Sequence, residues 1–127
     1  MIEESEEKPF WELTSKILGA SFEVHKALGS GFLEKVYVRA LLRELAAGGL
    51  TAESEVAIPV IYKGADVGVY YADIVVDHTV VCEIKAVASF TREHEAQLIH
   101  YLTATNKKVG LLLNFGSKSV QVKRRLL

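Results

Sequence analysis

Apolar positions along the chain follow two different periods. Over residues 9–28, Leu13, Ile17, Val24 and Leu28 recur at the three- and four-residue spacing that lines one side of a helix, with Phe22 slightly off the stripe. The same period returns over residues 33–47, and residues 89–106 read as a loop followed by a third helix. Shorter apolar runs over residues 55–62, 67–76, 80–87, 109–115 and 120–127 have the length and composition of strands. The punctuation agrees with this division. Gly29-Ser30-Gly31 and Gly48-Gly49 close the first two helices, Lys63-Gly64-Ala65-Asp66 is a hairpin signal, and Thr91 is suited to cap the third helix ahead of Glu93 and Glu95. Pro59 marks an edge strand, because it cannot donate to a ladder. The uninterrupted run 109–115 predicts a central strand, parallel to a neighbour after a helical crossover, and residues 120–127 predict a last strand at the edge. The expected order is α-α-β-β-β-α-β-β.

Charges interrupt two of the apolar runs. Asp73 stands at the head of the apolar stretch Ile74-Val75-Val76 in one, and Glu83 and Lys85 break the next. An unpaired buried carboxylate costs several kcal/mol or neutralises itself. Lys85 offsets only one of the two negative charges, so a cation is the natural further partner. Side chains alternate along a strand, so Glu83 and Lys85 share a face. An odd loop of Asp77, His78 and Thr79 pairs Val75 with Val81 and sets Asp73 opposite Glu83; a two-residue turn without a bulge would send the two acids to opposite faces. The odd loop, or a bulge to the same effect, is the expectation.

Five helical positions join these residues as candidates. At about 100° per residue, Glu34 falls on the stripe of Leu41 and Leu45, with Tyr37 one turn on. Gln97 and Tyr101 lie four apart on one face of the third helix, and His94 joins them three residues earlier. Carboxylates without cysteine or paired histidine ligands favour Mg²⁺ or Mn²⁺ over zinc.

Composition narrows the class. The chain has 127 residues, half of them hydrophobic and 24% charged, with a formal net charge of −1. This suits one domain over residues 9–127 behind a flexible acidic segment, residues 1–8. No apolar run approaches a membrane span, no signal peptide precedes the first helix, and the lone Cys82 rules out a disulfide framework, so a cytoplasmic setting is expected. Near-neutral charge argues against a protein that coats DNA, yet Lys107, Lys108, Lys118, Lys123, Arg124 and Arg125 crowd the last twenty-one residues. Of these, Lys107, Lys108, Lys123 and Arg124 are the expected phosphate contacts.

With those residues in view, the sequence resembles the PD-(D/E)XK nuclease superfamily, and within it the small bacterial GxxExxY family. The naming motif reads Gly31-Phe32-Leu33-Glu34-Lys35-Val36-Tyr37; the likeness continues through Asp73…Glu83-Ile84-Lys85, Gln97-Leu98-Ile99-His100-Tyr101-Leu102 and Gly110-Leu111-Leu112-Leu113-Asn114-Phe115-Gly116. The resemblance implies a restriction-endonuclease-like α/β (α+β) fold: an αβββαβ core with a mixed central sheet flanked by helices, and an additional N-terminal helix. It implies that Asp73 and Glu83, with Glu34, ligate Mg²⁺ or Mn²⁺, that Lys85 helps activate the attacking water, and that Gln97 and Tyr101 organise the site. Tyr37 and His94 would support it. The implied activity is hydrolysis of phosphodiester bonds in nucleic acid, DNA in preference to RNA. A core this small has no recognition domain, so a homodimer or a protein partner would supply specificity. Two other readings compete: a nuclease-fold module that binds nucleic acid or a protein without cutting, and a structural domain in which Asp73, Glu83 and Lys85 form a buried ion network.

Overall fold

A computed structural model describes the backbone over residues 2–127 and the side chains from residue 10 onward. Its elements are α1 (Ile2–Leu28), α2 (Glu34–Ala47), β1 (Ala52–Tyr62), β2 (Ala65–Val76), β3 (Val80–Lys85), α3 (Arg92–Thr105), β4 (Val109–Asn114) and β5 (Gln121–Leu126). The order is the expected one. One boundary differs in substance: α1 reaches back to Ile2, so the acidic segment expected ahead of the helix forms its first two turns. Pro9, expected in the first turn, lies inside the helix, where it forgoes a single backbone hydrogen bond.

The five strands form one sheet in the order β1-β2-β3-β4-β5. β1 is an edge strand, as Pro59 requires, and β5 is the other edge. β3 and β4 run parallel, joined through α3, while the remaining neighbours are antiparallel. Alternation sorts the buried side chains onto two faces. Ile74, Val76, Cys82, Ile84, Leu111, Leu113 and Phe115 pack with Ile17, Val24, Tyr37, Leu41 and Leu45 of α1 and α2. Val75, Val81 and Leu112 pack on the other face with Leu98, Tyr101 and Leu102 of α3. Gly110 permits that second layer to close: a Cβ there would stand 2.7 Å from Leu98 Cδ1 and 3.1 Å from Leu102 Cδ1.

Two turns set the registers. Lys63 and Gly64 both have positive φ, the requirement of a two-residue type I′ hairpin, and they join Tyr62 to Ala65. Between β2 and β3, Asp77 and His78 have positive φ and Thr79 N donates to Val76 O. Thr79 makes the loop odd, and Val75 pairs with Val81 as expected. The β1–β2 hairpin is much longer than the sheet behind it. β3 covers β2 only from Ile74 to Val76, so the distal arm projects, with Ile61, Tyr62, Val67, Val69, Tyr70 and Tyr71 exposed.

Candidate metal centre and active site

The β2–β3 ladder stops at Ile74 and Cys82, and side chains take over where it ends. Asp73 Oδ2 accepts from Ile84 N at 2.7 Å, occupying the place of a strand carbonyl, and Asp73 N donates to Glu83 Oε1 at 3.4 Å. Part of the cause lies on β1. Glu55, between the pairs Ser54–Ile74 and Val56–Ala72, adopts a positive φ of 51°, so the ribbon is distorted beside Asp73. The two acids therefore meet at a split in the sheet, which the register argument anticipated.

Glu83 is 3% exposed. Burial first, and the neighbouring Asp73 second, push its carboxyl up to about 9; Lys85 pulls the other way without restoring it. The same environment raises the buried Cys82 thiol and leaves it inert. Among the described residues, the ion pairs join His78 to Glu53 and Glu95 to Lys123 and Arg125; none includes Asp73, Glu83 or Lys85. A self-sufficient buried ion network is thus not what this arrangement forms. Its donor set is two hard carboxylate groups, one of them held neutral by burial and by the acid beside it, and this fits a hard divalent cation.

Lys85 ends β3 on the face of Glu83, half-buried, and its exit is clamped. Phe115 N donates to Lys85 O at 2.8 Å, and the buried Asn114 side chain holds Val87 from both sides, accepting from its N at 2.9 Å and donating to its O at 2.8 Å. Asn114 also accepts from Gly116 N and donates to Gln121 Oε1, which uses its full hydrogen-bonding capacity. Gly116 is obligatory in this clamp, since a Cβ would fall 2.3 Å from Val87 O. The sequence held a signal for Asn114 that went unread: like Glu83, it is a polar residue at the end of an otherwise apolar central strand.

From α3, Tyr101 packs on the sheet face of Val75, Val81 and Leu112, which Glu83 shares by alternation. Burial, then Glu83 and Asp73, raise its phenol to about 12. Gln97, half-buried one turn earlier, lines a groove with Tyr101, Tyr70 and His94. His94 has a local task that the sequence did not reveal. Its Nδ1 accepts from Thr91 N and its own N donates to Thr91 Oγ1, so it closes the capping box that starts α3.

Glu34 and Tyr37 divide the roles expected of them. Tyr37 is fully buried; its hydroxyl donates to Gly29 O at 2.6 Å and accepts from Phe32 N at 3.2 Å, and its ring stacks on Phe115 at 4.8 Å. It pins the loop into α2 and does not reach the acids. Glu34 is exposed, because it is the first residue of α2 and the apolar stripe is covered only from Tyr37 on. It shares a groove of about 280 Å³ with Asp73, Glu55 and Arg39. Among the described residues no group of three potential ligands comes together, so the structure unites Asp73 with Glu83 and leaves Glu34 at the rim.

The expected phosphate contacts are dispersed. Lys107 Nζ donates to His78 O at 2.6 Å, tying it with Lys108 to the end of the sheet away from Lys85. Lys123 sits on the α3 face in the same row as Glu83, across Leu112, with its Nζ 3.9 Å from Glu95. Arg124 alternates to the opposite face, where it lies 4.5 Å over the Trp11 ring. Adjacent basic residues on a strand cannot form one patch.

A family model described as the PD-(D/E)XK nuclease superfamily matches residues 11–125. Comparison with curated proteins and with solved structures gives no match. Among the described residues no helix is long and apolar enough to cross a membrane.

Proposed function

Since the chain belongs to the PD-(D/E)XK nuclease superfamily, we propose that it is a metal-dependent phosphodiesterase of the GxxExxY branch, acting on nucleic acid, DNA in preference to RNA. The observation that supports this reading is the buried Glu83 against the half-buried Asp73 at the split between β2 and β3, with Lys85 two residues on and, among the described residues, no ion pair to either acid. Asp73 and Glu83 would hold Mg²⁺ or Mn²⁺, with Glu34 reaching it through solvent. The ion would supply charge neutralisation and Lewis acidity at the phosphoryl group. Lys85 adds a fixed positive charge where negative charge develops, and the Asn114 clamp keeps that charge from drifting. Tyr101 and Gln97 wall the site on the α3 side. Lys123, in the row of Glu83, is the best placed of the basic residues for the strand being cut.

Lys85→Ala tests the reading. It removes a transition-state contact but neither metal ligand. Cleavage in Mn²⁺ is expected to fall about 10²–10³-fold, the equivalent of about 3–4 kcal/mol, with metal binding retained and nucleic-acid binding in Ca²⁺ only modestly weaker. Wild-type protein that binds nucleic acid but cuts no plasmid, linear or single-stranded substrate would instead be a binding module.

A further inference from the structure

Among the described residues, one wide concavity is lined by neither Asp73 nor Glu83. It is a groove of about 800 Å³ between α3 and the projecting arm of the β1–β2 hairpin. Its arm side is Ile58, Pro59 and Tyr70; its helix side includes His94, Gln97 and Tyr101. We propose that this groove is a subsite for an unpaired nucleobase of the substrate strand, adjacent to the bond that Asp73 and Glu83 address. The inference rests on the nucleic-acid reading above and adds a substrate class to it: single strands or unpaired ends.

Four observations carry it. First, the groove lies on the sheet face of the acids: Tyr101 packs against Val81, whose face Glu83 shares by alternation, and Tyr101 also lines the groove beside Tyr70. Tyr70 is three residues from Asp73 along β2, about 10 Å, which places the groove beside the nucleotide next to the reacting phosphate. Second, it has an aromatic platform. Tyr70 is 52% exposed, yet its ring is braced against Tyr101 with centroids 5.9 Å apart, so one ring is fixed while leaving surface to be stacked upon. Third, the charge is wrong for phosphate. Among the described residues no lysine or arginine lines the groove, and Glu93 is its one charged side chain besides the two histidines, His94 and His100. The backbone of a strand would stay outside and its base would enter. Fourth, polar groups suited to a base edge are present: Gln97 offers a donor and an acceptor, and His94, whose Nδ1 is occupied by Thr91 N, keeps its Nε2 proton to donate. A base in a duplex has both faces covered by its neighbours and cannot enter such a slot; an unpaired base can.

The test uses the full chain, fluorescein-labelled oligothymidylate and a blunt duplex of equal length, with binding measured in Ca²⁺ and cleavage in Mn²⁺. Wild type is expected to bind the single strand at least tenfold more tightly than the duplex. Tyr70→Ala is expected to weaken single-strand binding about tenfold, the usual loss for one stacked base, and Tyr70→Phe to retain it. Neither substitution is expected to change the thermal shift caused by Mg²⁺, which shows that the variants fold and that the acids are intact. Single-strand binding unaffected by Tyr70→Ala overturns the subsite while leaving the nuclease reading standing. A duplex preference, or a wild-type protein that binds no nucleic acid, also overturns it. Binding that depends on Tyr70 in a protein that cuts nothing supports the subsite and refutes the nuclease reading.

Discussion

Glu83 couples ion binding to protons, and the coupling can be worked from the site. Its carboxyl titrates near 9 in the folded chain against 4.5 when exposed. At pH 7 it holds its proton, and a divalent ion must displace it. An ion that binds only the ionised form has an affinity that rises about tenfold per pH unit until the pH nears 9, and each ion bound at pH 7 releases close to one proton. The stability of the ion-free protein follows with a definite sign. A raised acid pKa gives the folded state the extra proton, so this contribution is fully present below 4.5 and is lost as pH rises through about 9. At pH 7 about 2.5 units separate the solution from 4.5, so the ionisable carboxyl costs the fold on the order of 3 kcal/mol relative to its protonated state. Glu83→Gln removes this titration. The difference in unfolding free energy between variant and wild type, measured in chelator from pH 5 to 9, is expected to change in favour of the variant at about 1.4 kcal/mol per pH unit. Isothermal titration of Mg²⁺ in two buffers of different ionisation enthalpy counts the protons. An affinity flat between pH 7 and 9, or no proton released, would refute the reasoning, because Glu83 would then be ionised without the ion.

Asp73→Asn is expected to abolish most of the rise in melting temperature that Mg²⁺ confers on the wild type; an undiminished rise would mean that the ion binds elsewhere. Tyr37→Phe removes the hydroxyl that bridges Gly29 O and Phe32 N, and is expected to cost about 1–3 kcal/mol in denaturant unfolding while leaving Mg²⁺ affinity unchanged. Gly116→Ala forces a carbon into the backbone of Val87; it is expected to lower thermal stability by more than Tyr37→Phe does, and a variant of wild-type stability would show that the Asn114 clamp is loose.

The elements that sequence made legible were those with a strong period or an anomaly. The order of elements, the parallel crossover through α3 and the odd loop at 77–79 all follow from local signals, and the loop sets the register in which Asp73 and Glu83 approach each other. Glu34 was misjudged in degree: its angle on α2 was right, but a helix stripe is buried only where something lies beneath it, and α2 begins beyond its cover. The basic residues are dispersed for another reason. Lys123 and Arg124 are neighbours in sequence and, on a strand, opposed in space, while Lys107 answers to a carbonyl in a distant turn. His94 depends on a partner in a loop, which leaves no periodic trace. The projecting arm depends on how far β3 extends beside β2, which neither strand's own residues declare.

Asp73 carries two functions on one side chain, and this governs how the site can be dissected. Its Oδ2 substitutes for a strand carbonyl by accepting from Ile84 N, and its charge faces Glu83. Replacement by alanine would remove both, leaving the Ile84 N–H in a buried position without an acceptor, at a cost of about 1–3 kcal/mol that has nothing to do with metal. Asparagine keeps an acceptor oxygen while discarding the charge. It also relieves ionised Glu83 of a repulsive neighbour, so the ion-free Asp73→Asn protein is expected to be at least as stable as the wild type once the pH reaches about 9 and yet to gain little from Mg²⁺. A site that is merely structural would move in the opposite direction, losing stability with the charge. Ion-free stability and ion response, measured together on this one substitution, therefore separate an acid pair kept for a cation from one kept for the fold.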